Sequence, residues 1–292
     1  MKYKSTLKWL VPIIFLLALA AALAGVWPAE GESFSMTNFR GETVRINGRG
    51  LYTWDTVSSA AQMQANDLVM LVLGLPLLVF SYWLALRGSL RGHLLMTGTL
   101  GFILYTYITM CFGAAYNPFF LVYVALFSTS LFAFIFSMMS FNIESLPEHF
   151  TKNIPHKAIA VLLFFTAAFL TLAWLGRIAP TILKDQIPAL ENTTSMFIQA
   201  MDLGIIVPFS VIAGVLLLRR TAWGYLLSAV GLMKFLTMGA AVSLMGLNMA
   251  RVGASISLIE LVVFPIIALT NLLMVIFMLK GIKDDNKSEG GK

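Results

Sequence analysis

The chain has 292 residues, of which 59% are apolar and only 12% are charged, and its mean hydropathy is +0.84. A soluble domain carries about twice that charged fraction, so soluble enzymes and soluble binding modules are excluded. The formal charge of +6 calls for no nucleic-acid partner, because membrane topology explains where the basic residues lie. The apolar residues come in runs near the ~20 residues that a helix needs to cross a bilayer. The sequence therefore predicts an all-α fold, a polytopic transmembrane bundle of about eight spans that has the lipid bilayer as its partner.

Residues 1–27 contain the first apolar run, which follows a basic start with Lys2, Lys4 and Lys8. A basic start, an apolar run and the pattern Ala22-Leu23-Ala24, with its small residues two positions apart, are also typical of a cleaved signal peptide. Against this, small residues four positions apart, such as Ala18 and Ala22, favour close packing between membrane helices. We predict a retained first transmembrane helix and keep the signal peptide as the alternative.

Residues 28–63 are the one long polar stretch before the C-terminal tail, and we predict that they form an extracytoplasmic loop. Within the loop, residues 43–46 (TVRI) favour a short strand because they include β-branched residues. Asn47 and Gly48 follow directly and predict a turn.

The remaining apolar runs predict seven further spans. They lie at residues 66–86, 94–113, 119–139, 158–176, 199–218, 224–246 and 256–279. Helices 2–4 and a cytoplasmic loop would occupy residues 64–157, and helices 5–8 would occupy residues 158–279. The tail at residues 280–292 is polar and glycine-rich, so we expect it to be disordered and cytoplasmic.

Basic residues predict the orientation, because Lys and Arg resist translocation across the membrane. With the N-terminus inside, thirteen basic residues fall in cytoplasmic segments and six fall in outer segments. This bias predicts a multi-pass protein of the plasma membrane with both termini in the cytoplasm.

A weak internal repeat relates the two halves of the chain. Residues 87–95 (RGSLRGHLL) align without gaps with residues 219–227 (RRTAWGYLL), and Asp67 and Asp202 each precede a Leu in the preceding run. Matching both features requires a slip of three residues between the aspartate and the arginine. One interpretation is a duplication of four plus four parallel helices, related by an axis along the membrane normal. The other is the chance likeness of leucine-rich helices.

Four charged residues fall inside predicted spans: Lys234, Glu260, Asp202 and Asp67. A charge at the bilayer centre costs about 2.5–3.5 kcal/mol, so such residues usually face the bundle interior or water. We predict a polar site that opens outward, with Lys234 at its floor and Glu260 and Asp202 above it. The alternative for Lys234 and Glu260 is a buried ion pair that holds helices together. For the two aspartates the simpler interpretation is that of first-turn acids, which the helix macrodipole stabilises.

Tyrosine and threonine are dense at the end of the third predicted span. Tyr105 and Tyr116 are candidate ligand-binding residues there. The alternatives are interhelical hydrogen bonds for Tyr105 and anchoring in the aromatic belt for Tyr116.

The sequence carries no motif for a cofactor or a metal. Cys111 is the single cysteine, which excludes disulfides and Cys-based metal clusters within one chain. The histidines lack the helical spacing of a zinc site, and no glycine-rich phosphate loop occurs. We expect neither a cofactor nor a metal, and a homo-oligomer is compatible with the sequence.

Residues 55–71 (DTVSSAAQMQANDLVML), 87–95 and 116–128 (YNPFFLVYVALFS) resemble an uncharacterised group of bacterial multi-pass membrane proteins. The resemblance implies a bacterial inner-membrane setting. It implies no activity, and no functional residue is carried over.

Three functions fit these features. The first is a transporter of a small solute or ion, in which Lys234 and Glu260 change protonation or pairing as the two halves rock. The second is a membrane-embedded enzyme that modifies a lipid, with Glu260 or Asp202 as the general acid or base. The third is a sensor or assembly factor that binds a partner through residues 28–63. The transporter is our preferred interpretation.

Overall fold

The computed structural model describes residues 2–184, 190, 192–256 and 258–283, apart from the side chains of Ile259 and Glu260. Within these residues, eight helices are long and apolar enough to cross a membrane, which confirms the predicted all-α bundle. They are α1 (Lys4–Val26), α2 (Val57–Leu86), α3 (Leu90–Gly113), α4 (Phe120–Met138), α5 (His156–Leu183), α6 (Phe197–Leu218), α7 (Ala222–Arg251) and α8 (Leu258–Lys280).

Several helices extend beyond the predicted spans. α2 begins at Val57 and not near residue 66, because the Thr56 side chain caps the helix by accepting a hydrogen bond from the Ser59 amide. The residues between are good helix formers but are too polar to register as an apolar run. α5 likewise continues to Leu183, so Arg177, expected in a loop, is helical.

A two-stranded hairpin covers one end of the bundle, which we call the hairpin end. β1 (Phe34–Thr37) pairs antiparallel with β2 (Thr43–Ile46), which is the strand that the sequence predicts. The hairpin reverses between the two strands, ahead of β2, and not at Asn47-Gly48. Gly48 instead opens a second turn with a φ of +74°, and a Cβ there would lie 2.0 Å from the Glu32 carbonyl oxygen.

The predicted tail is ordered at its start. The Thr151 amide donates to the Gly281 carbonyl at 2.7 Å, and the Lys283 amide donates to the His149 carbonyl at 2.8 Å. These backbone bonds hold residues 281–283 against the segment between α4 and α5, so disorder is not what the structure shows there. Residues 284–292 lie outside the described part of the chain.

α3 and α7 form the centre of the bundle. α3 packs between α2 and α4, α7 packs between α6 and α8, and the two central helices cross each other. Gly98 makes the crossing close, because a Cβ there would lie 2.3 Å from the Met233 Cβ. Lys234, the next residue after Met233, is thereby placed in the interior of the bundle.

α1 packs into the bundle against α2 and α4. Its buried face includes Ala18 and Ala22, the small residues whose spacing favours close helix packing. Retention of this helix, as against its cleavage as a signal peptide, stays a prediction.

A π-helical turn interrupts both α2 and α6. The turns are Met70–Gly74 and Asp202–Ile206, and a proline follows each of them in the second position of the next α-helical segment. A proline ring clashes with the carbonyl one turn before it, and the wider π turn relieves that clash. The two turns are 132 residues apart, and so are the ends of α2 and α6 at Leu86 and Leu218.

This spacing changes how the two halves compare. A constant offset of 132 residues needs no slip, but it matches Asp202 with Met70 and not with Asp67. The two aspartates therefore do not occupy equivalent positions along their helices. The four-plus-four duplication is not confirmed and stays a prediction.

Candidate functional site

Lys234 lies in the interior of the bundle, with only 8% of its side chain exposed. Two glycines of α3 give it space: a Cβ at Gly98 would lie 2.9 Å from the Lys234 amide nitrogen, and a Cβ at Gly101 would lie 3.6 Å from the Lys234 Cγ. The aliphatic part of the Lys234 side chain therefore packs against the two glycines of α3, and the surrounding helices enclose its ammonium group.

The Lys234 ammonium faces aromatic rings. Its Nζ lies 4.2 Å from the centre of the Tyr105 ring and 5.0 Å from the centre of the Phe235 ring. Such a cation–π contact contributes about 2 kcal/mol or more when it is desolvated. Among the described side chains, no carboxylate lies within 4.0 Å of the ammonium. The Glu260 side chain lies outside the described residues, so its predicted proximity to Lys234 stays a prediction.

Asp202 joins this site through Tyr105. The Tyr105 hydroxyl donates to Asp202 Oδ1 at 2.7 Å, and the Trp174 indole N–H donates to Asp202 Oδ2 at 2.9 Å. Asp202 is 7% exposed, and it interacts electrostatically with Lys234. Four helices thus contribute one residue each to what we call the lysine site: Lys234, Tyr105, Asp202 and Trp174.

The first-turn interpretation of the two aspartates is wrong. Asp67 lies ten residues after Val57, where α2 begins, and Asp202 follows a full helical turn that begins at Phe197. The macrodipole acts only within the first turn, so it does not account for either buried carboxylate.

Asp67 lies in a separate buried cluster. The Tyr52 hydroxyl, from the loop before α2, donates to Asp67 Oδ2 at 2.5 Å. A Cβ at Gly25 of α1 would lie 1.8 Å from the same oxygen, so the glycine makes room for the carboxylate. Tyr107 and Tyr123 stack nearby, with ring centres 6.1 Å apart, and are within electrostatic reach of Asp67. We call Asp67 and these three tyrosines the tyrosine cluster.

Tyr116 does not join either cluster. Its side chain is 79% exposed and touches the ring of Phe120, with the ring centres 5.8 Å apart. The structure does not bring Tyr116 together with the other predicted site residues. An exposed tyrosine at the end of a span fits the aromatic-belt alternative.

An outer pocket opens at the hairpin end. It is formed by the residues before and at the start of α2, the end of α3, and the segment that leads into α6. Its lining residues are Trp54, Asp55, Thr56, Ser59, Phe112, Gly113, Ala114, Ala115, Asn192, Thr193, Thr194, Ser195 and Phe197. The sequence alone does not reveal this pocket, because its three segments are far apart in the chain.

Asp55 is the one carboxylate among these lining residues. Its Oδ1 accepts a hydrogen bond from the Ala115 amide at 2.8 Å, whereas Oδ2 is buried and has no hydrogen-bond partner. Burial raises the pKa of Asp55 to about 7, against the smaller opposing effect of the Ala115 hydrogen bond. An acid in a polar loop is ordinary in a sequence, so only the fold distinguishes this one.

These features define the class of the protein: it is a multi-pass integral membrane protein with a buried lysine–aspartate site among its helices. In comparisons with known proteins, no family model matches the chain, and neither does a curated protein or a solved structure. The resemblance to uncharacterised bacterial membrane proteins stays a prediction.

Proposed function

We propose that the chain transports a small solute or ion across a bacterial plasma membrane, with the hairpin end outside and both termini in the cytoplasm. The observation that carries this proposal is Lys234, an ionisable group buried among membrane helices without an ion pair among the described side chains. Placing such a charge in a membrane is costly, and intramembrane charges mark transport pathways and proton relays.

The transported species in this proposal is a cation. A carboxylate and an aromatic face are the groups that hold cations in proteins, and the lysine site presents Asp202 and the Tyr105 ring together. The Lys234 ammonium occupies that position as an internal cation. When a solute cation binds at Asp202 from outside, Lys234 releases its proton to the outer solution and becomes a neutral amine, so the net charge of the site is conserved. Lys234 takes up a proton from the cytoplasm after the cation has left toward the inside.

The π turn of α6 supports movement at this site. Asp202 is the first residue of that turn, and Pro208 follows two positions after it ends. π turns are frequent at functional sites, and kinks in helices concentrate at such turns and at prolines. A bend of α6 at this position would change the distances from Asp202 to Tyr105 and Lys234.

Catalysis by Asp202 on a lipid has less support. Asp202 is 7% exposed and lies among the helices, so a lipid headgroup outside the bundle does not reach its carboxylate in this structure. A general base needs an oxygen within hydrogen-bond reach of its substrate. We therefore keep lipid turnover as an outcome that would contradict the proposal.

Proteoliposome flux tests the proposal. Uptake of Na⁺, K⁺ and methylammonium is measured for wild type, Lys234→Met and Asp202→Asn, with the exposed Lys157→Met as the matched control. We expect wild type and Lys157→Met to take up at least one cation, and both site variants to lose at least nine-tenths of that flux while remaining folded. Absence of flux in wild type, or equal flux in all four proteins, contradicts the proposal. So does turnover of an added lipid without flux.

A further inference from the structure

We propose that the outer pocket binds a small organic ammonium compound, which pairs with Asp55 before it enters the bundle. This inference rests on the proposed function and names the class of solute.

Asp55 has one carboxylate oxygen without a hydrogen-bond partner. Asp55 is 4% exposed, and its Oδ2 is buried without a donor, although its other oxygen is bonded to the Ala115 amide. Leaving a buried acceptor without a donor costs about 1–3 kcal/mol, and more when the group is charged. A ligand that donates hydrogen bonds and carries positive charge removes this cost, and a primary ammonium has three donors.

Aromatic side chains form part of the pocket wall. Trp54, Phe112 and Phe197 line the same pocket, and the first two have largely exposed side chains that leave the pocket open. Aromatic faces attract ammonium groups and pack against short alkyl chains. A carboxylate among aromatic side chains therefore selects an organic ammonium over a hydrated inorganic cation.

The surrounding charges are compatible with a cation. Arg40 lies beside the pocket, because it donates to the carbonyl of the lining residue Thr193 at 2.9 Å, and it forms an ion pair with Glu42 at 2.8 Å. Its charge is thus compensated within the hairpin. Tyr123, which lies within electrostatic reach of Asp55, is a phenol and adds no positive charge.

The pocket also leads toward the lysine site. Phe197 lies against Gly113, where a Cβ would be 2.0 Å from the Phe197 Cζ, so this lining residue packs directly on α3. Phe197 precedes Asp202 by five residues, or about 7.5 Å along the helix axis. The pocket and the lysine site are therefore close to each other along α6.

Binding of propylammonium to the full-length protein in detergent tests the inference, with neutral 1-propanol as the isostere. By calorimetry at pH 8, we expect wild type to bind propylammonium at least tenfold more tightly than propanol. Asp55→Asn should lose at least tenfold in affinity for propylammonium, and the exposed Glu30→Gln, in the same loop, should match wild type. Trp54→Ala gives an independent variant if Asp55→Asn does not fold, and it should bind at least threefold more weakly.

The pH dependence gives a readout that needs no variant. Because the pKa of Asp55 is about 7, its ionised fraction falls about tenfold from pH 8 to pH 6, and the affinity should fall by the same factor. Equal binding of propanol, wild-type affinity in Asp55→Asn, or constant affinity across this range overturns the inference. Binding without flux contradicts the proposed function alone, whereas flux without binding at this pocket contradicts this inference alone.

Discussion

Single residues show which chemistry a sequence can reveal. Lys234 and Asp202 can be predicted because a charge inside an apolar run is unusual and must be enclosed. Trp174 cannot, because an aromatic residue in a membrane span is ordinary and only the fold places its N–H against Asp202. Tyr52 and Asp55 cannot be predicted either, because polar residues are common in loops and only the fold shows that these two are buried.

Tyr52→Phe tests the tyrosine cluster. The change removes the hydroxyl that donates to Asp67 and leaves a buried carboxylate oxygen without that donor. We expect the free energy of unfolding to fall by about 1–3 kcal/mol. Tyr116→Phe is the control, because its exposed side chain predicts a change within about 0.5 kcal/mol. Thermal unfolding in detergent measures both, and equal effects would contradict the role assigned to the cluster.

Asp55 should make the stability of the protein depend on pH. Its pKa is about 7 in the fold, against an ordinary value of 3.8 for an aspartate in an unfolded chain. Between these two pH values the folded state binds more protons than the unfolded state. The contribution of Asp55 to stability is therefore largest at low pH, and it is lost as the pH rises toward 7. We expect the unfolding temperature to fall from pH 5 to pH 8 in wild type by more than in Asp55→Asn. The same slope in both proteins would contradict this assignment.

At the scale of elements, apolar runs predict where helices cross the membrane, but they do not predict where helices begin and end. α2 starts after the capping residue Thr56, in a polar stretch that hydropathy alone assigns to a loop. The β-branched pattern of β2 is local, and it predicts this strand at its observed residues. Asn47-Gly48 leads into a turn as predicted, but the reversal that joins β1 to β2 lies ahead of β2, and the sequence does not predict it. A proline follows each of the two π turns, but a proline also kinks a helix without a π turn, so the sequence alone does not predict them.

The crossing of α3 and α7 gives a test at this scale. Gly98→Ala would place a Cβ 2.3 Å from the Met233 Cβ and 2.9 Å from two backbone atoms of α7, so the two helices must move apart. We expect a loss of about 1–3 kcal/mol in stability, together with impaired transport, because the same shift moves Lys234. Gly176→Ala is the matched control, since its Cβ would meet no atom within 4 Å. That control should be neutral or slightly more stable, because Ala favours a helix over Gly.

At the scale of the whole molecule, the described residues include eight apolar helices and, within these helices and the loop before α2, three buried carboxylates that differ in their surroundings. Asp67 is bonded to a tyrosine, Asp202 lies beside a lysine–tyrosine pair, and Asp55 faces an open pocket with one oxygen unpartnered. The outer pocket and the lysine site share α3 and α6, so we infer one route from the hairpin end toward the bundle centre. The tyrosine cluster lies outside that route and is assigned to stability.

The most direct test of whether Lys234 exchanges its proton for the solute cation is to count the protons that move with each cation. Proteoliposomes that enclose a pH-sensitive dye are given a gradient of methylammonium, corrected for the diffusion of neutral amine through protein-free vesicles. If Lys234 exchanges its proton for the solute cation, wild type moves about one proton outward for each cation that enters, and Lys234→Met moves neither. Cation uptake by Lys234→Met at the wild-type rate and with the same proton count would contradict this exchange.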